Sequence, residues 1–115
     1  AIADHFHKQI IPNVDLMERD FGSLQGNSWK EIEKITGMDT ETLTKEEVYD
    51  YRPYGGESAD DVKARILHFL ASMKEKPYTR VVVVCHSGII SMMRHLFPNN
   101  AMSHISNASI NEFEI

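Results

Sequence analysis

One cysteine, Cys85, occurs in 115 residues. A lone thiol cannot close an intrachain disulfide, which excludes a disulfide-stapled secreted scaffold and leads us to expect a reducing, cytoplasmic setting. No apolar run approaches the roughly 20 residues of a membrane span, so membrane insertion is not expected. A signal-peptide core is missing too, because Asp4, His5, His7 and Lys8 interrupt the first nine residues. There is no initiating Met, as expected of a processed, trimmed or partial chain. Basic clusters are absent, and 12 Lys and Arg against 17 Asp and Glu give a net charge of −5, which argues against a nucleic-acid partner. Internal repeats and low-complexity linkers are lacking. No group of His, Cys, Asp and Glu has metal-ligand spacing; His5 and His7, two apart on a helix, point to different sides.

What is present is an ordinary globular composition, 42% hydrophobic and 25% charged. It supports one domain over residues 1–115, somewhat small for an α/β architecture. The most informative stretch is 81–88 (VVVVCHSG). Four β-branched residues and a cysteine without alternation predict a strand covered on both faces, as in a parallel sheet. Ile89, Ile90, Met92, Met93 and Leu96 then fall at helical spacing. His86 is therefore expected between the carboxyl end of a buried strand and the start of a helix. Open α/β sheets bind ligands there, and the free amides of a helix start attract phosphate.

A buried strand needs neighbours, and only 109–115 (SINEFEI), with Ile110, Phe113 and Ile115, reads as a second one. The chain thus reads as part of a sheet. Its exposed strand edges are expected to be closed by a homo-oligomer or by a missing N-terminal segment.

The remaining pattern predicts helices. Residues 1–11, with Ile2, Phe6, Gln9 and Ile10 in register, read as the end of a helix stopped by Pro12. Residues 13–27 read as a loop punctuated by Gly22 and Gly26. Residues 28–37 read as a helix opened by a Ser28–Glu31 capping box, carrying Trp29, Ile32 and Ile35 on one face and closed by Gly37. Residues 44–51 repeat the capping pattern with Thr44 and Glu47, and 52–57 form a turn. The longest helix is expected over 58–76, with Ser58 as cap and Val62, Ile66, Phe69, Leu70 and Met73 as its core stripe. Residues 97–108 read as an irregular connection.

Three segments carry a resemblance: 16–26 (LMERDFGSLQG), 55–61 (GGESADD) followed by Arg65, and 84–88 (VCHSG). In this order the chain resembles the histidine phosphatase superfamily, also called the phosphoglycerate mutase-like family, over about residues 2–115. The resemblance implies a three-layer α/β/α sandwich, incomplete in this chain. Family members begin with a strand ending in Arg-His-Gly, whose His becomes phosphorylated. That triplet does not occur here, since Arg94-His95 is followed by Leu96. The family's second phosphate-binding Arg, placed before the region matching Ala1, is absent as well. The chain therefore reads as the C-terminal portion of such a domain, and alone it is expected to be inactive.

The resemblance also implies roles. Glu18 matches the general acid or base that supplies a proton to a leaving alkoxide; without the family pattern it would read as a solvated loop carboxylate. His86 matches the second active-site histidine, which donates a hydrogen bond to phosphoryl oxygens as charge builds. Arg19 resembles a substrate-binding arginine, and reads equally as a surface residue. Glu57 and Ser58 match a Gly-Glu-Ser turn, with Glu57 on the substrate side of the site and Ser58 as a helix cap. Ser87 stands where many relatives have glycine, within the substrate-binding turn. Cys85 reads as a buried small apolar residue, and His68, His95 and His104 as surface positions. No cofactor or metal is implied, and the partner expected is a small phosphorylated substrate.

Mutase relatives place Asn two residues after the second histidine, Tyr three after the acid and a Lys near the next glycine. Here these places hold Gly88, Phe21 and Trp29, with Lys30 one position off. The expected activity is therefore metal-independent phosphomonoester hydrolysis. The alternatives are phosphoglycerate mutase-type transfer, a non-catalytic member that binds phospho-ligands or a partner, and an unrelated small α/β domain.

Overall fold

The computed structural model describes residues 2–45, 48–98 and 105–115. Their helices are α1 (Ile2–His5), α2 (Trp29–Thr36), α3 (Thr40–Thr44), α4 (Ala59–Lys74) and α5 (Ser87–Leu96), with 3-10 turns at Val14–Leu16, Gly22–Leu24 and Arg52–Tyr54. None of the described helices is long and apolar enough to cross a membrane.

Helix α4 is the spine, and its sequence explains why. Ser58 caps it by accepting from the Asp61 amide at 3.2 Å, while Asp61 reaches back to the Ser58 amide at 2.9 Å. This reciprocal pair satisfies amides that have no partner inside the helix. Val62, Ile66, Phe69 and Leu70 then recur on one face and are buried, with Met73 at the rim of the core. Helix α5 lies against α4 and buries Ile89, Met92 and Met93. Each such side chain taken out of water contributes about 1.5–3 kcal/mol. The Val14–Leu16 turn packs on α4 as well.

Helix α2 has the expected Ser28–Glu31 capping box and ends at Gly37 in the left-handed region, φ 70°. Its apolar face is narrower than expected: Ile32 is buried, whereas Trp29 and Ile35 stay 39% and 53% exposed. Trp29 instead meets Phe21 edge-on, ring centroids 5.9 Å apart. The helix expected over 44–51 is displaced. Asp39 caps α3 by accepting from the Thr42 amide at 2.8 Å, and Thr44 is its last residue, donating back to the Thr40 carbonyl. Asp39 takes the capping role one turn before Thr44. Glu47 lies outside the described residues, as do 99–104, half of the connection expected over 97–108, with His104.

The sheet expectation fails among the described residues, which contain no strand, only an antiparallel bridge between Asp50 and Ser58. Val81, Val82 and Val84 are 44%, 62% and 75% exposed, while Val83 and Cys85 lean on the core. Residues 109–115 are likewise irregular, with Phe113 against the core and Ile110 exposed. The reason is physical: strand geometry persists only when a neighbouring backbone takes up its amides and carbonyls, and no described segment does so. The α/β/α sandwich is accordingly not assembled in these residues. The N-terminal helix is cut short in the same way. It spans Ile2–His5 rather than 1–11, and Ile2, Phe6 and Ile10 face solvent. A helix with no surface to pack on does not propagate far.

Candidate active site

Two loops cross to form the floor of the site. Gly22 adopts φ +58°, and a Cβ there would stand 2.0 Å from the Tyr54 carbonyl oxygen. On the other loop, a Cβ on Gly56 would stand 2.3 Å from the Asp20 carbonyl oxygen. Glycine at both places lets the backbones touch.

Glu57 fastens this crossing. Its amide donates to the Asp20 carbonyl at 2.9 Å, and its carboxylate accepts from the Asp20 amide at 2.9 Å. The same carboxylate takes a forked pair from Arg65 of α4, Nε to Oε1 at 2.8 Å and Nη2 to Oε2 at 3.0 Å. The remaining Arg65 nitrogen, Nη1, donates to the Asp15 carbonyl at 2.6 Å. Bidentate charge-assisted bonds of this kind fix orientation as well as distance. Residues 15–20 are thereby tied to α4.

The fastened loop delivers Glu18 to the start of α5. Glu18 Oε1 accepts from the Arg19 amide at 3.0 Å, and Oε2 accepts from the Gly88 amide at 3.2 Å across 70 positions. The first amides of a helix carry partial positive charge, which favours a carboxylate there. Beside it, burial pushes the Cys85 thiol up from its ordinary range; the negative charge of Glu18 adds to this, against a bond from the His86 amide. Cys85 thus stays protonated at neutral pH and is a poor nucleophile.

Arg19 turns into an aromatic group. Its guanidinium carbon lies 4.8 Å from the Tyr49 ring centroid and 5.5 Å from that of Phe21. Tyr49 stacks on Tyr51 at 5.3 Å, and Phe21 meets Tyr51 at 4.8 Å. Tyr51 is fully buried and its hydroxyl donates to the Leu43 carbonyl. Cation–π contact restricts a long side chain that would otherwise sample many rotamers.

His86 occupies the capping position of α5 in extended backbone, with φ −107° and ψ 162°. Its imidazole makes no capping bond and is exposed, as is Ser87 in the first helical position. The arrangement joins an imidazole facing solvent, a carboxylate on an adjacent amide and the positive end of a helix. Chemically this can receive an anion and move a proton.

Glu18, Arg19, His86 and Ser87 therefore share the start of α5, whereas Glu57 stands one layer back with its carboxylate committed to Arg65 and Asp20. Two features escape the sequence reading. Arg65 is given no role there, although it lies two turns beyond the cap Ser58 on the same side of α4. Gly88 serves there only to separate a hydrolase from a mutase, although a Cβ on it would meet Glu18 Oε1 at 2.3 Å.

The family model described as the histidine phosphatase superfamily (branch 1) matches residues 1–115. The chain is 34% identical over 87 residues to a 2,3-bisphosphoglycerate-dependent phosphoglycerate mutase of Rhizobium etli, covering 73% of this chain and 41% of that protein. It is 32% identical over 109 residues to a metal-independent phosphoserine phosphatase of Arabidopsis thaliana, covering 92% of this chain and 45% of the relative. Phosphoglycerate mutase-like protein 4 of the same plant is 30% identical over 110 residues, covering 93% and 48%. The chain thus spans less than half the length of these relatives. No solved structure matches.

Proposed function

Because this chain belongs to the histidine phosphatase superfamily (branch 1), we propose that its residues form the proton-transfer half of a metal-independent phosphomonoester hydrolase that acts through a phosphohistidine. The nucleophilic histidine lies outside these 115 residues, which contain no Arg-His-Gly. In this reading the nucleophile forms a P–N bond as the ester P–O bond breaks, and Glu18 gives its proton to the departing alkoxide. Water then attacks phosphorus, returning a proton to Glu18 and releasing phosphate from the histidine. His86 and the free amides of α5 meet the phosphoryl oxygens as their charge grows. Ser87 lines that turn, Arg19 orients the rest of the substrate, and Glu57 acts from behind by holding the acid loop.

The observation that carries this reading is the bond from the Gly88 amide to Glu18, which brings the acid to the helix turn that begins at His86. The preference for hydrolysis rests on Gly88, Phe21 and Trp29, which stand where mutases carry other residues. The phosphoserine phosphatase relative, whose name includes metal independence, agrees with it. A second reading, phosphoryl transfer of the mutase type, is favoured by the Glu18-Arg19 pair, with Arg19 pinned over Tyr49. The two are separated by incubating the intact protein with phosphoserine, p-nitrophenyl phosphate and 3-phosphoglycerate, with and without EDTA. Phosphate release that survives EDTA is the expected result. Activity abolished by EDTA and restored by magnesium would overturn metal independence, and isomerisation of 3-phosphoglycerate without phosphate release would select the mutase.

A further inference from the structure

Gly88 occupies the second position of α5, in helical backbone and without a positive φ. Glycine is, after proline, the residue least suited to a helix, and its conformational freedom is not needed here. Its surroundings give the reason. Gly88 is buried, its amide donates to Glu18 Oε2 at 3.2 Å, and a Cβ would stand 2.3 Å from Glu18 Oε1, 3.1 Å from Glu18 Cδ and 3.3 Å from Arg19 Nε. The space a side chain would fill is already taken by the acid and by the guanidinium of the neighbouring arginine. The amide that α5 leaves unpaired in its first turn points at the same carboxylate.

We infer that Gly88 is the positioning residue of the acid: its missing side chain admits the Glu18 carboxylate to the first turn of α5, and its amide holds Oε2 while the Arg19 amide holds Oε1, which together fix the plane of the carboxyl group. The inference rests on the proposed role of Glu18 for its catalytic consequence, but not for its structural one. Gly88 touches neither substrate nor the reacting atoms, and acts through Glu18. With a methyl group at 88, the carboxylate must swing away from the amide, and displacements of this size cost enzymes about 10- to 100-fold in rate.

The test is a double-mutant cycle in the intact protein, Gly88→Ala with and without Glu18→Ala. In the wild-type background, Gly88→Ala should lower kcat for an alkyl phosphate about 10- to 100-fold with KM little changed. p-Nitrophenyl phosphate, whose leaving group needs no proton, should lose much less. In the Glu18→Ala background the same change should leave kcat within about twofold. Thermal unfolding reads the contact without any activity: Gly88→Ala should lower the midpoint when Glu18 is present and raise it when Glu18 is Ala, because alanine is the better helix residue. Glu18→Asp, one methylene shorter, should soften the loss caused by Gly88→Ala.

If Gly88→Ala alone fails to fold, Glu18→Ala should restore folding, and failure to do so would overturn the inference. It is equally overturned if Gly88→Ala leaves kcat and the midpoint unchanged, or shifts the midpoint alike in both backgrounds. A sign reversal in the midpoint together with no phosphatase activity would keep Gly88 as the seat of Glu18 and discard the proposed function instead.

Discussion

The two apolar regions of this chain meet opposite ends. The apolar residues of α4 and α5 are closed over by one another and by Leu24, Ile32, Leu43, Tyr49 and Tyr51. The valines of 81–84 are at least as apolar, yet three of the four are largely exposed. Composition does not separate them. The difference lies in what each kind of element requires. A helix satisfies its own backbone and needs only a surface for one face, which α4 and α5 offer each other. A strand must borrow its hydrogen-bond partners, and no described segment lends them to 81–84. His86 stands at the seam, following the unpartnered valines and opening the packed helix.

This contrast breaks first at the level of turnover. Residues 1–115 alone should hydrolyse no phosphomonoester, since Glu18 and His86 only assist an attack made by another group. The same polypeptide should self-associate through the exposed backbone of 81–84, because apolar edges recruit strands. Sedimentation and phosphate release test both together. A monomer with measurable turnover would sink the contrast. Val82→Lys with Val84→Lys should reduce association while leaving the helical core intact, as lysine blunts strand edges.

At the seam, His86→Ala in the intact protein should cost at least ~100-fold in kcat, the scale of removing a preorganised donor to a developing oxyanion. The imidazole makes no capping bond, so the unfolding midpoint should hardly move. A rate loss under threefold would leave His86 without a part in catalysis.

Within the packed region, Gly22→Ala should be the most damaging small change. Its Cβ would collide with the Tyr54 carbonyl at 2.0 Å, and its φ of +58° disfavours any side chain. A loss of about 2–4 kcal/mol in urea unfolding is expected, well above the typical substitution. Gly26, also at positive φ but with open space around it, should lose less on change to alanine. Equal losses at the two positions would mean that the loop crossing contributes nothing.

What was legible in the sequence divides along the same line. The Ser28 and Ser58 capping boxes, the stripe of α4 and the face of α5 depend on residues three or four apart, and they could be read directly. The strands at 81–84 and 109–115 depend on distant partners, so a β-rich composition announced them without guaranteeing them. Asp39 taking the cap expected at Thr44 shows the limit of local rules where two capping residues compete. In the site, Glu18 and His86 stood out because their motifs resemble a family. Arg65 and the close approaches at Gly22, Gly56 and Gly88 were hidden, since they come from two loops and a helix meeting in space. Of the two glycines read as punctuation, Gly22 marks where two loops touch, whereas Gly26 has open space around it.

The smallest expected effect concerns the capping carboxylates of the packed region. The backbone amide of Ser28 holds Glu31 below the usual carboxylate range, and that of Ser58 does the same for Asp61, each aided by the serine hydroxyl. Asp39 is lowered mainly by the Thr42 amide, and the Arg52 guanidinium lowers Asp50 to about 2. For each group the folded state favours the ionised form, so it binds fewer protons than the unfolded chain. Stability from these groups is thus full above the unfolded carboxylate range near pH 4 and is lost as pH falls through each group's lowered range, which for Asp50 lies at about 2. All four groups are solvent-exposed and screened by salt, so each share is small. Ser58→Ala removes the hydroxyl from one box and should cost about 1 kcal/mol at pH 7. Part of that cost depends on an ionised Asp61, so the gap between Ser58→Ala and wild type should narrow at pH 3. Urea midpoints for both proteins at the two pH values provide the check. A gap that stays constant would mean that the hydroxyl stabilises α4 independently of the charge on Asp61.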